Sequence, residues 1–132
     1  MLTAVCLRYQ GLLRLASEIL QDFYSTLLPV GPVPALYDYP YSVQAFNQNR
    51  GTMYFNVHVL EALKDKPVLR LLAEWYVTYC HELAHNTEAG HNQRHENVMH
   101  ILLVRSLEHY GRLLESYRDK YGTRTVAEAV AT

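Results

Sequence analysis

Cysteine is scarce in this chain. Cys6 and Cys80 are the only two, they form no CxxC pair, and they exclude a disulfide-stapled scaffold. A basic surplus is also missing. Twelve Lys and Arg stand against thirteen Asp and Glu, with no run of either sign, so there is no field to hold a nucleic acid by counterion release. Long hydrophobic runs are absent too. The apolar N-terminal stretch is broken by Arg8, Gln10 and Arg14, and it carries no charged leader or small-residue cleavage site. Neither a signal peptide nor a membrane span is expected there. No repeat or low-complexity tract interrupts the sequence. These absences point to an intracellular protein, cytoplasmic or nuclear, with no nucleic-acid or membrane partner.

What is present is enough for one core. A chain of 132 residues, 49% of them apolar, predicts one compact domain over residues 1–122, followed by a tail at 123–132 that is loose or forms a short docking helix. Apolar residues recur at helical spacing over 3–28, among them Val5, Leu12, Leu13, Ala16, Ile19, Leu20, Phe23 and Leu27. Gly11 weakens that helix and Pro29 stops it. Pro32, Pro34 and Pro40 keep 29–41 extended, with Tyr37, Tyr39 and Tyr41 alternating.

Two β-prone runs, Val43–Phe46 and Thr52–Val57, flank a polar loop closed by Gly51 and predict an antiparallel hairpin. One of its strands would be an edge, where an extended peptide can pair through its main chain. A short helix near Val57–Leu63 and a long one from Val68 to about Thr87 follow, the latter restarted at Pro67. After a turn at Ala89-Gly90, residues 92–118 read as a second long helix. Its expected stripe is Met99, Leu103, Leu107, Tyr110, Leu114 and Tyr117, and Gly122 ends it.

The chemistry is concentrated between Cys80 and Glu96, which read CHELAHNTEAGHNQRHE. On a helix, His81 and His85 share a face roughly 6 Å apart, within reach of one cation. Glu82 lies beside them and can touch a water on that cation. His91 offers a third nitrogen, and Gly90 allows the turn that brings it back. Three neutral ligands with an open fourth position is how a catalytic zinc is held. His95 competes with His91, because both suit a helix start near residue 91; the residues alone leave the choice open. Glu88, Glu96 and His95 are candidates to orient ligand imidazoles. Cys80 is read as a small buried residue. His58, His100 and His109 carry no assigned role, although His100 lies within reach of the cleft. Tyr37, Tyr54 and Tyr110 are the oxyanion candidates.

The string His81-Glu82-Leu83-Ala84-His85 with His91 at this spacing resembles the zincin metallopeptidases. It is unlike metzincins, which have Gly three residues after the second histidine, where Glu88 stands here. It is more similar to the compact SprT-like and WLM peptidases. Closer still is the HExxH domain near the C-terminal end of large sacsin-like proteins, which carry a histidine-kinase-type ATPase fold. The resemblance rests on Ala45-Phe46-Asn47, Phe55-Asn56-Val57, His81 through Asn86, His91-Asn92 and His95-Glu96, about half the chain. An aromatic pair tends to follow in that group; Val98 and Met99 stand there instead.

The resemblance implies an α+β minimal zincin, mainly helical with one small antiparallel sheet. It implies zinc on His81, His85 and His91, with His95 beside the ligands and Glu82 as general base. A strand at Met53, Tyr54, Phe55 and Asn56 would hold a peptide or protein substrate, and other domains of a larger polypeptide would deliver it. A second reading is a zinc-bound structural or docking module that has lost turnover. The Glu82 carboxylate, which such a module does not need, favours chemistry. A metal-free helical adaptor ranks last, because it leaves five histidines within twenty residues without a purpose.

Overall fold

The structure is a computed structural model that describes residues 10–27, 33–37, 45–48, 52–56, 58–85 and 89–131. In the strands it describes side chains only at Phe55 and Asn56. Helices make up most of it, as the 3.6-residue periodicity requires. No helix among the described residues is long and apolar enough to cross a membrane.

The first helix, α1, runs Gln10–Asp22 and opens into a π-helical turn, Phe23–Leu27. Leu15, Ala16, Ile19, Leu20 and Phe23 bury one side of it. The widening coincides with Ser25, whose hydroxyl donates to the Gln21 carbonyl at 2.9 Å. That bond draws on the acceptor an α-helical ladder would use there. Residues 3–9 of the expected helix lie outside the described residues, as do Tyr39 and Tyr41.

Three strands follow: β1 (Val33–Tyr37), β2 (Ala45–Gln48) and β3 (Thr52–Asn56). β2 and β3 pair antiparallel, Gln48 opposite Thr52, while β1 pairs parallel to β3 from Val33 opposite Thr52. Two expectations need correction. The sheet is mixed, not antiparallel, and its order β1-β3-β2 puts β3 in the centre. The strand at Met53–Asn56 therefore spends its main-chain bonds on two neighbours and has no edge to offer a peptide. Phe55 points into the core against Trp75, ring centroids 5.1 Å apart. Asn56 is buried, and its Oδ1 accepts from the His58 backbone N–H at 3.0 Å. The side chains of Met53 and Tyr54 lie outside the described residues.

A short helix, α2 (Val59–Ala62), leads to α3 (Val68–Ala84), which buries one face through Val68, Leu71, Leu72, Trp75, Tyr76, Tyr79, Cys80 and Leu83 and leaves Arg70 and Val77 exposed on the other. The start of α3 is held by the C-terminal segment. The Val68 N–H donates to the Arg124 carbonyl at 3.0 Å, and the Val126 N–H to the Lys66 carbonyl at 2.9 Å. Thr125 and Glu128 cap the last helix, α5 (Val126–Val130), reciprocally. α5 seats where α1 has Gly11; a Cβ at that position would lie 2.8 Å from the Val130 Cβ. Gly11 thus gives room for a helix as well as weakening one. Residues 123–131 are part of the fold through the docked α5, not a loose tail.

α4 runs Gln93–Tyr121, from an Asn92 cap to Gly122 at φ 58°. It packs antiparallel on α3, with Tyr76 stacked face to face on Tyr110 at 4.0 Å. Leu107, expected in the stripe, is exposed. The buried arc passes instead through Ser106, Leu113, Tyr117 and Tyr121. Ser106 is buried because its hydroxyl bonds to the Leu102 carbonyl at 2.7 Å and meets the Tyr76 hydroxyl at 2.9 Å.

Candidate metal centre

α3 ends and α4 begins at the same place, and the histidines occupy that corner. His81 and Glu82 lie in the last turn of α3, His85 is its C-cap, and His91 immediately precedes the N-cap of α4. The rings converge. Nε2 of His91 lies 3.2 Å from Nε2 of His85 and 3.3 Å from Nε2 of His81. All three ligand atoms fall within 4.8 Å of one another, close enough to hold a metal ion.

The spacing is informative. Ligands at about 2.0–2.1 Å from a tetrahedral ion sit about 3.3–3.4 Å apart along each edge. Two of the three nitrogen separations have that length. Without a cation, one imidazole nitrogen has a single in-plane lone pair or a single N–H, so His91 cannot satisfy both neighbours. The donor set therefore fits a metal ion.

Electrostatics point the same way. Burial first, and then the neighbouring rings of His95, His85 and His91, lowers His81 from 6.5 to about 4, which keeps it a neutral ligand. Glu82 is buried, with Oε2 3.6 Å from Nε2 of His81. Burial raises it to about 7, partly offset by His95. A carboxyl that titrates near neutrality is suited to take up and release a proton.

His95 is placed differently from His91. It is 3% exposed, so it is no surface histidine, and its Nε2–H donates to the His81 carbonyl at 2.9 Å. Its ring stacks on His85, centroids 4.1 Å apart and planes 22° apart. Its backbone N–H is held by Asn92 Oδ1 at 3.0 Å. Of the two residues competing as third ligand, His91 thus joins the cluster and His95 stands behind it. Glu96 is exposed in the first turn of α4, a solvated carboxylate favoured by the helix dipole. Glu88 lies outside the described residues.

Cys80 is buried beside Ser106, and burial pushes its thiol up to about 11, which leaves it inert. His100 is exposed on α4, and His58 and His109 are half-buried. Among the oxyanion candidates, Tyr110 stacks on Tyr76 and lies fifteen residues along α4 from His95. That is about 22 Å away, too far to take part. The side chains of Tyr37 and Tyr54 are outside the description.

Sequence reasoning named His95 as a residue beside the ligands, and it lies there, on the His81 carbonyl and the His85 ring; the Asn92 cap that fixes it was not read, although Asn before a helix is a readable N-cap signal. One hairpin strand was expected to be an edge, and one is, but not the strand at Met53–Asn56. With β3 central, the strand of the hairpin with a free side among the described residues is β2, and β2 packs against α3. Comparison of the chain with protein-family models, with curated proteins and with solved structures finds no match in any of the three. The site stands on its own geometry.

Proposed function

We propose that this chain is a zinc-dependent peptidase domain of the zincin type that hydrolyses peptide bonds inside the cell. One observation carries the reading: three imidazole nitrogens within 4.8 Å of one another, two of their separations close to a tetrahedral edge, with a buried carboxylate on the residue after the first of them. Three imidazoles in that geometry favour zinc over metals that seek oxygen ligands or octahedral sites. When bound, zinc supplies a Lewis acid that polarises a carbonyl and makes water acidic near neutrality.

The chain's own residues do the rest. His81, His85 and His91 hold one side and leave the solvent side open, since His91 is exposed. Glu82, with its raised pKa, takes a proton from the attacking water and passes it to the leaving amine. The β2 strand, packed on the helix that carries these groups, is one of the sheet's two edges, at which an extended peptide can align. The likeness to the HExxH domain of sacsin-like proteins supports a place in a larger polypeptide, whose other domains would present a protein substrate.

A second reading is a zinc-bound docking module without turnover. The position of Tyr110 favours it, because that candidate for steadying an oxyanion is far from the metal corner. Two variants separate the readings. Elemental analysis of protein purified without added metal should give one zinc per chain, and none for His81→Ala. Glu82→Gln should retain the zinc and lose peptide cleavage; cleavage surviving in that variant contradicts the proposed base. Cleavage absent from the wild type as well, with zinc present, supports the docking module.

A further inference from the structure

The last turn of α3 is bonded from another helix. In a regular helix the His85 N–H would bond the His81 carbonyl four residues back. Here it lies 3.2 Å from the Glu82 carbonyl. The His81 carbonyl belongs to the last turn of α3, where a helix takes partners from outside. His95 satisfies it at 2.9 Å. The same ring lies flat against His85, at 4.1 Å and 22°. One buried imidazole on α4 thus touches the backbone of the first ligand and the ring of the second.

His95 is itself held in place. Its backbone N–H is bonded to Asn92 Oδ1, and Asn92 follows His91, the third ligand, directly in sequence. All three ligands are therefore referred to one rigid point at the N-terminus of α4. Because Nε2 carries the proton donated to a carbonyl, it is not a fourth ligand in this arrangement, and the open coordination position stays open.

We propose that His95 is the positioning residue of the metal centre. By donating Nε2–H to the His81 carbonyl it ties the last turn of α3 to α4 and sets the orientation of the His81 and His85 rings toward His91. This rests on the metal reading of the site but not on peptidase activity.

The test is zinc affinity, measured by competition with a chromophoric chelator, for the wild type, His95→Ala and His95→Gln. Glutamine places an amide N–H where the histidine has Nε2–H. His95→Ala should weaken binding by about 10–100-fold, the usual cost of removing a group that orients a metal ligand. His95→Gln should recover most of that loss. Cobalt(II) spectra should show the same ligand number in all three proteins.

If His95→Ala binds zinc as tightly as the wild type, the positioning role is wrong. If both variants lose affinity equally and the cobalt bands shift as for one fewer nitrogen, His95 is a ligand and the role is also wrong. A wild type that binds no zinc removes the metal reading together with this inference, whereas a zinc-loaded wild type without peptidase activity leaves it standing. Should His95→Ala fail to fold, His95→Gln still decides: it binds like the wild type if the donated N–H is what matters, and fails to if it is not.

Discussion

The two ends of α4 are built to opposite rules. At its C-terminal end the helix is tied to α1 by polar side chains on the rim of the core. The Tyr117 hydroxyl donates to Asp22 at 2.6 Å, the Tyr121 hydroxyl donates to Glu18 at 2.9 Å, and Lys120 pairs with the same Glu18 at 2.7 Å. Every one of those charges has an opposite partner or a donor. At its N-terminal end the helix gathers nitrogens of one kind, with His81 and His85 half-buried and Glu82 the carboxylate beside them among the described residues. The first arrangement pairs unlike groups; the second collects three like donors close enough to hold a metal ion. Donors of one kind gathered at one corner of a fold mark a place where a ligand is expected.

The sharpest way to break this comparison is to remove the core that both ends share. Trp75→Ala deletes a fully buried ring packed on Phe55 and should cost about 3–5 kcal/mol, abolishing the cooperative transition near room temperature and zinc binding with it. A denaturant melt checks this. A variant that melts normally would mean that the metal corner is organised without that core.

Gly11→Ala acts at the end remote from the metal. The added methyl meets Val130 at 2.8 Å, including a backbone carbonyl at 2.9 Å, so α5 must shift. A loss of about 1–3 kcal/mol in stability is expected, with zinc affinity unchanged. Both are read from one sample by chemical denaturation and chelator competition, and a parallel fall in affinity would show the two ends to be coupled.

Glu82→Gln tests the buried carboxyl by pH. In the metal-free wild type, Glu82 is raised to about 7 from 4.5, so its contribution to stability is present below about 4.5 and is lost as pH rises through 7. His81, lowered to about 4, works the other way: its contribution is present above about 6.5 and is lost as pH falls toward 4. Glutamine removes the first contribution and keeps the second. The variant should gain on the wild type as pH rises from 4.5 to 7, by something on the order of 1–3 kcal/mol. Denaturant melts of chelator-treated protein at several pH values would show it; a gap that does not change with pH would mean the carboxyl is solvated.

Tyr117→Phe is the smallest of these changes. It removes the donor to Asp22 and should cost about 1 kcal/mol, visible as a modest drop in melting temperature with the metal site intact.

The helices were legible because each buries an apolar stripe. α1, α3 and α4 follow from Ile19, Leu72 and Leu114 and their spacing, and Gly122 was read correctly as the end of α4. The register of α4 was not legible. Its buried arc is centred on Ser106, a polar residue that the core accepts because Tyr76 and the Leu102 carbonyl satisfy it. A hydropathy pattern passes over such a residue and counts Leu107 instead.

The sheet failed for a related reason. β1 reads Val-Pro-Ala-Leu-Tyr, its proline argues against a strand, and its partner β3 is parallel and distant in sequence. Nothing local says that β3 has a second neighbour. The histidine corner was legible because His81 and His85 share a helix face with Glu82 one position round, but the choice between His91 and His95 depended on where α4 begins. The Asn92 cap decides that, and it puts one ring in the cluster and the other behind it.

The most direct test is the X-ray absorption spectrum of the zinc-loaded protein at the zinc edge, taken for the wild type and for His91→Ala. The account predicts three imidazole nitrogens and one oxygen at about 2.0–2.1 Å in the wild type, and one imidazole fewer in the variant. A sulfur shell, a fourth imidazole, or an unchanged spectrum in His91→Ala would contradict it.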